Sequence, residues 1–281
     1  MPTLSQDKID QFNDEGYLVI ENLVPDSIVD PLIDEVSQTL DAIAEELYDK
    51  GEIQDKLEGE GFETRMVGLH GQSDEFYRRI FCGRLHGPKF FQFLTCNEIL
   101  DVAEDFVGPD LLNCGIYRLR AKLPDHSGTV VNWHQDAGYA REDCRGTFSI
   151  AFWIPLTDAE PDRGCIWVIP KAHKLGYIHH GRGEHYLQID MEPYNEYEKV
   201  PVPMKKGDAL LLHHLLPHCS KGHTRNVMRW SVDTRYQLPT LPTGFGEAPF
   251  LCRSTRWPDR VVTDPDDFAR RRVERVFETF E

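Results

Sequence analysis

The sequence predicts a mainly β fold with helices packed against it, an antiparallel sandwich or barrel faced by N-terminal helices. Three observations carry this. The first 110 or so residues contain long amphipathic periodicities, the chain beyond Asp110 changes to short alternating runs divided by Pro, Gly and Asp, and no repeat, heptad or low-complexity tract competes. At 281 residues the chain exceeds the usual single-domain size, but barrels with insertions commonly reach this length. One domain over 1–281 is therefore expected, with a helical part to about 110, a barrel core over about 111–240 and a C-terminal extension over 241–281.

Ser5 is placed to cap a short helix through Glu15, Gly16 to stop it, and Tyr17 to Ile20 to follow as a brief strand. From about Pro25 to Leu47, the residues Ile28, Leu32, Ile33, Val36, Leu40, Ile43, Ala44 and Leu47 recur at three- and four-residue steps with acidic residues between them. That is a packing helix, with no chemistry on it. Residues 48–75 are rich in Gly and charge and lack a sustained period, which predicts a loop or mobile segment able to lie over a site. A further helical region is expected over 76–107. Strand-like runs follow at Asn113–Lys122, Thr129–His134, Gly146–Pro155, Cys165–Pro170, Asp208–His214 and Val227–Tyr236.

Composition narrows the partners. With 31 basic against 47 acidic residues the formal charge is −16, and no long basic run offsets it, so neither a nucleic acid nor an anionic membrane surface is expected. The seven cysteines form no C-x-x-C pair, and Met1 to Lys8 lacks a secretory pattern, so reduced thiols and a cytoplasmic location are expected. The richest apolar stretch, Ala209 to Leu216, is broken by two histidines and falls well short of the roughly 18–20 residues that cross a bilayer.

Candidate chemistry lies at three places. In Trp133-His134-Gln135-Asp136 a strand would present an imidazole and a carboxylate on one side. Some eighty residues on, an apolar run enters a histidine-rich turn, His213-His214-Leu-Leu-Pro-His218, able to supply a third ligand. Two histidines and one carboxylate leave open positions on an octahedral metal, as non-haem Fe(II) oxygenases require, although a zinc hydrolase uses a similar set. In the last run, Arg229, Ser231, Asp233 and Arg235 share one face and Met228, Trp230 and Val232 the other. The polar face either lines a wet interior that binds an anion or simply meets solvent.

Together these residues resemble the phytanoyl-CoA dioxygenase family of Fe(II)/2-oxoglutarate oxygenases. The resemblance runs through Phe12 to Leu23, His134-Gln-Asp136, Trp153-Ile-Pro-Leu, Asp162 to His173, Gly207-Asp, His218 and, eleven residues later, Arg229-Trp-Ser231. It implies a double-stranded β-helix, a cupin-like jelly roll with helices outside. Iron would be held by His134, Asp136 and His218, since His213 and His214 come too early and His223 too late relative to Arg229. Arg229 would pair with the distal carboxylate of 2-oxoglutarate, helped by Ser220, Ser231 and Trp153, with Lys122 as an addition; His173 would be structural. With O₂, the reaction implied is hydroxylation of a small-molecule substrate with release of succinate and CO₂; an aspartate at 136 favours this over halogenation, for which relatives carry a small residue there. Tyr117, Gln135, Tyr139 and Arg235 are candidate substrate walls, with residues of 48–75 and 174–190, where His179, His180, Arg182 and His185 cluster in what also reads as a solvated loop. Two other classes share some of these features. A cupin-like hydrolase or isomerase would have no use for Arg229, and a non-catalytic jelly-roll module would be expected to have lost a ligand.

Overall fold

In a computed structural model, residues 3–82, 87–245, 248–274 and 280 are described. Helix α1 (Gln6–Glu15) stops at Gly16, whose φ of 83° is left-handed. A Cβ there would lie 2.4 Å from the His173 ring, so glycine is required by both backbone and space. Ser5 stands at the N-cap, but its hydroxyl makes no capping bond. After β1 (Tyr17–Ile20), helix α2 (Asp26–Asp49) buries Val29, Leu32, Val36, Leu40, Ile43, Ala44 and Leu47, the stripe expected, with Ile28 and Ile33 on its flanks.

The 48–75 segment departs from its expectation. Residues Phe62–Gln72 form helix α3, which buries Arg65, Met66 and Leu69. Gly68 and Gly71 interrupt the apolar period in the sequence, yet Gly68 is where the side chain of Leu57 packs, 2.5 Å from any added Cβ. The short α4 (Glu75–Tyr77), a π-turn, α5 (Pro88–Leu94) and α6 (Asn97–Val107) fill the helical region expected over 76–107, of which residues 83–86 lie outside the described residues.

The strands are β2 (Leu111–Lys122), β3 (Val131–His134), β4 (Ile150–Pro155), β5 (Ile166–Val168), β6 (His180–Arg182), β7 (Leu187–Ile189), β8 (Val200–Val202), β9 (Ala209–His213), β10 (His218–Ser220), β11 (Arg229–Gln237) and β12 (Phe250–Arg253), followed by α7 (Pro265–Glu274). A six-stranded antiparallel sheet, ordered β1-β9-β4-β11-β2-β12, faces a four-stranded sheet, β3-β10-β5-β8, with β6-β7 as a hairpin beside them. This is the mainly β jelly roll with flanking helices that the sequence predicts. Gly207 makes the turn into β9 at φ 83°, and a Cβ there would meet the Val24 carbonyl at 2.5 Å.

The large sheet has two unlike faces. Outside, Leu119, Ala121, Phe152, Leu211, Trp230 and Val232 pack with α2, α5 and α6 in one apolar core. Trp230 stacks on Phe62 of α3 at 5.0 Å and donates to its carbonyl, so α3 buttresses β11 from behind. Burial of such a side chain stabilises by roughly 1.5–3 kcal/mol, enough to fix which face of β11 turns outward. Inside, β4 and β9 contribute Ala151, Trp153, Leu210 and Leu212 to a second apolar cluster, while β2 and β11 turn charged side chains inward. All nine residues of β11 are buried, so its polar face lines the interior and does not meet bulk solvent. Among the described residues no helix is long and apolar enough to cross a membrane.

Candidate metal centre and adjoining cavities

His134 closes β3 and His218 opens β10, and the two are register partners across that ladder. Their rings lie 4.2 Å apart. Asp136 is not on the strand: pairing ends at His134 and Asp136 begins a 3₁₀ turn. Gln135 nevertheless keeps extended angles, φ −106° and ψ 143°, so alternation persists one step beyond the strand and turns both side chains inward. The His134 and His218 Nε2 atoms stand 3.8 and 3.7 Å from Asp136 Oδ1.

Both imidazoles are oriented by backbone. His134 Nδ1 lies 2.8 Å from the Asn132 carbonyl and His218 Nδ1 2.9 Å from the Leu216 carbonyl, so each Nδ1 carries the proton and donates. Each Nε2 lone pair is then left directed at the cluster centre. Burial, with the neighbouring His218 second, holds the His134 imidazole down to about 3 and therefore neutral. Burial alone would raise the Asp136 carboxyl, but the Arg235 guanidinium and the two histidines outweigh it and keep the group well below the usual carboxylate range. One ligand atom from each of the three residues lies within 4.8 Å of the others, and all three residues are buried. Two imidazole nitrogen donors and one carboxylate suit Fe(II), and this donor set alone would also suit zinc.

Arg235 lines both cavities and in addition grips the candidate ligand Asp136. Its Nε and Nη2 donate to Asp136 Oδ2 and Oδ1 at 2.9 and 2.5 Å, a buried two-point clamp on the candidate ligand. Gln135 is corrected as a substrate wall. Sitting between two inward residues it points away, where its amide donates to the Gly176 and Leu215 carbonyls and accepts from Ile178 N–H, all within 2.8 Å. Tyr117 is corrected likewise: it lies on the outer face of β2 among Phe90, Phe250 and Phe268. Its hydroxyl donates to the Ala248 carbonyl.

An inner cavity of about 80 Å³ opens from the cluster, lined among others by Lys122, Trp153, Ser220 and Arg229. Arg229 is 3 % exposed and lies over the Trp153 ring, 5.0 Å from its centre. It donates to the Ser231 hydroxyl and, at 3.4 Å, to that of Ser220, while its Nε has no partner. Among the described residues no carboxylate is within ion-pair distance of it. Burial, then the neighbouring Arg120, pushes the guanidinium down to about 9. Lys122 donates to the Thr129 and Ser220 carbonyls at 2.6 and 3.2 Å, in space that Gly164 leaves open. Burial and Arg229 hold its ammonium well below the ordinary lysine range.

A second cavity, of about 280 Å³, continues past His134 to the mouth, where Arg118, Arg120, Tyr139, Tyr186 and Arg235 line it. Tyr139 stands edge-on to His134 at 5.5 Å, in the place expected of a wall, and burial raises its hydroxyl to about 12. Asp233 receives Arg120 at 2.5 Å and lies 3.8 Å from Arg235. From 174–190 the residue that reaches the cavities is Tyr186; His179, Arg182 and His185 are exposed, and His180 accepts from Gln135 N–H at 2.9 Å. No residue of 48–75 lines either cavity, because α3 packs behind β11. His173 meets the Asn13 carbonyl at 3.1 Å, a structural contact, and His213 and His223 accept from backbone N–H groups away from the cluster. Arg118 and Arg120, not singled out from the sequence, were signalled there by the period-two run Arg118-x-Arg120-x-Lys122.

A family model, phytanoyl-CoA dioxygenase, matches residues 12–230. Phytanoyl-CoA dioxygenase domain-containing protein 1 of Danio rerio is 25 % identical over 269 residues, 82 % of this chain and 88 % of that protein. Methylphosphonate hydroxylase of Gimesia maris is 26 % identical over 236 residues, 83 % of this chain and 81 % of that one. Among solved structures, the epimerase SnoN in complex with Fe³⁺, α-ketoglutarate and nogalamycin RO superimposes with a TM-score of 0.57 at 18 % identity, covering 85 % of this chain and 87 % of that one, a likeness of fold.

Proposed function

The chain belongs to the phytanoyl-CoA dioxygenase family of oxygenases, and from that premise we propose that it is an Fe(II)- and 2-oxoglutarate-dependent hydroxylase of a small organic substrate. His134, Asp136 and His218 would hold the metal through two Nε2 atoms and one carboxylate. With 2-oxoglutarate and O₂ the iron supplies the oxidising chemistry, decarboxylation to succinate and CO₂ coupled to insertion of oxygen into a C–H bond. The protein binds, orients and excludes water. Arg229 takes the distal carboxylate of 2-oxoglutarate, Ser220 and Ser231 fix the plane of its guanidinium, and Trp153 covers one face. Lys122 adds positive charge at the closed end, and Tyr139 stands at the substrate side of His134.

The observation that carries this reading is Arg229: a buried guanidinium with no carboxylate partner among the described residues, in the same cavity as the triad, is a receptor for an anion of the size of a dicarboxylic acid. A hydrolase or isomerase on this barrel would have no use for it, and a binding module would not need three ligands with prearranged tautomers. The one-domain organisation and the cytoplasmic location expected from the sequence belong to the same proposal, and the six described cysteines, all free, support a reducing compartment. The test is succinate formation from 2-oxoglutarate by aerobic protein reconstituted with Fe(II), against His218→Ala prepared in the same way. Slow substrate-free turnover in the wild type alone is expected; equal succinate from both proteins would refute the assignment.

A further inference from the structure

We infer that Tyr186 is a specificity-determining residue: carried on the β6–β7 hairpin, it narrows the passage from the outer cavity to the metal centre and decides how wide a substrate group can reach it. This rests on the oxygenase reading above and adds to it the residue that selects by size. Position is the first argument. Five of the described residues line both cavities, Arg120, Val131, His134, Tyr186 and Arg235, and they therefore ring the passage from one to the other. Arg120 and Arg235 are held by Asp233 and Asp136, His134 is a candidate ligand, and Val131 belongs to β3. Of the five, Tyr186 alone comes from outside the two barrel sheets, from the turn that joins β6 to β7. The passage is thus bounded by groups that the metal centre engages, by a barrel strand, and by one aromatic ring whose identity the metal centre does not fix.

Anchorage of the hairpin is the second argument. Its base is built against the metal centre: His180 Nε2 accepts from the N–H of Gln135, between two candidate ligands, and a Cβ on Gly138 would lie 2.4 Å from the His180 ring. Ile189, at the other end of the base, is buried in an apolar cluster with Trp133 against it. The tip is held by polar contacts nearer the surface. The Tyr186 hydroxyl donates to the Gly128 carbonyl at 2.9 Å, Asn132 donates to Gln188 at 3.0 Å, and Arg182, Glu184 and His185 are exposed. Gly183 lets the tip lie this close, because a Cβ there would meet the Tyr186 carbonyl at 2.5 Å and the Asn132 amide at 2.9 Å. A buried base and a solvent-facing tip make an element that opens locally at its tip while its base stays in place beside the ligands. The phenol ring sits on the part able to move aside, and its hydroxyl is the latch that returns it.

The experiment measures access to His134 with diethyl pyrocarbonate in the metal-free protein, each histidine being followed by peptide mass spectrometry. Exposed His179 is the reference for the reagent, and buried His173 reports whether a variant is folded. Tyr186→Phe removes the latch and keeps the ring, so modification of His134 relative to His179 should rise about two- to tenfold, the effect of one lost hydrogen bond. Tyr186→Ala removes both and should exceed it; if His173 reacts in that variant, Tyr186→Phe decides. In the Co(II)-loaded protein, imidazole and 4-phenylimidazole are the size-graded probes, read by the visible spectrum of Co(II). The wild type should favour imidazole, and Tyr186→Ala should shift the ratio of the two Kd values towards the larger probe about five- to tenfold. His134 rates in both variants equal to that of the wild type, or an unchanged Kd ratio, would overturn the inference. Should Co(II) fail to bind, or fail to protect His134, the oxygenase reading falls, and the His134 rates of the metal-free proteins still decide whether Tyr186 guards the passage.

Discussion

Replacing Arg229 by methionine should produce two opposite effects. In the protein without 2-oxoglutarate the guanidinium is buried, its Nε has no partner, and burial holds it near 9 against an ordinary value of 12.5. Such a group destabilises the free protein by about 3–5 kcal/mol, and an apolar side chain of similar length recovers part of that, so Arg229→Met should gain about 1–3 kcal/mol of stability. The same substitution removes the partner of the distal carboxylate. Loss of one member of a buried pair costs about 3–5 kcal/mol, which corresponds to a rise in the Kd for 2-oxoglutarate of roughly two to three and a half powers of ten. Arg229→Lys keeps the charge but not the two parallel donors, and should recover only part of the affinity. The assays are urea unfolding without ligand and anaerobic titration of the Fe(II)-loaded protein with 2-oxoglutarate. A variant that is less stable than the wild type, or whose Kd is unchanged, would refute the assignment of Arg229.

Asp136→Ala and His134→Ala should both abolish turnover but differ in stability, since only the first strands Arg235; a loss of about 3–5 kcal/mol for Asp136→Ala and clearly less for His134→Ala is expected by urea denaturation. Arg235→Gln keeps the ligand while removing its clamp, and should weaken Co(II) binding about tenfold to a hundredfold by competition with a chelator, with 2-oxoglutarate affinity at saturating metal changed much less. The buried His214 and His223 are held near 4 by desolvation, whereas the unfolded chain takes up these protons near 6.5. Their contribution is present above about pH 6.5 and is lost as pH falls towards 4, so these two groups should account for roughly 2–4 kcal/mol of the loss of stability between pH 7 and pH 5. In a His214→Gln/His223→Gln variant that drop should shrink, and an equal drop would exclude these groups as its cause.

The legible parts of this molecule were those with long or strict periods. Helix α2 repeats its apolar residues over 24 positions and β11 alternates over nine, so the two faces of each are separable in the sequence, while the choice between interior and solvent for the polar face of β11 rests on its burial. Strands β5 to β8 and β10 have three residues each, too few for alternation to emerge, and β10 was hidden in what reads as a histidine-rich turn. The resemblance to the family groups the triad, Arg229 and its two serines, and in the structure these residues line one cavity or border it. Two errors among the wall residues were avoidable in physical terms. Gln135 lies between two inward candidate ligands and must point outward, and Tyr117 alternates with Arg118 and so belongs to the other face of β2. Arg235 was on the right face, but its engagement depends on where the turn after β3 delivers Asp136, a long-range fact that local pattern does not contain. Helix α3 was missed because Gly68 and Gly71 weaken its helical signal, although Gly68 leaves the space in which Leu57 packs.

The most direct test of the account is the visible spectrum of the protein mixed anaerobically with Fe(II) and then 2-oxoglutarate. A weak absorption band that appears only when both are present, is absent in His134→Ala, and requires far more 2-oxoglutarate in Arg229→Met is the predicted result. No band at saturating Fe(II) and 2-oxoglutarate, or one that survives unchanged in His134→Ala, would contradict the claim that His134, Asp136 and His218 hold an iron to which 2-oxoglutarate binds.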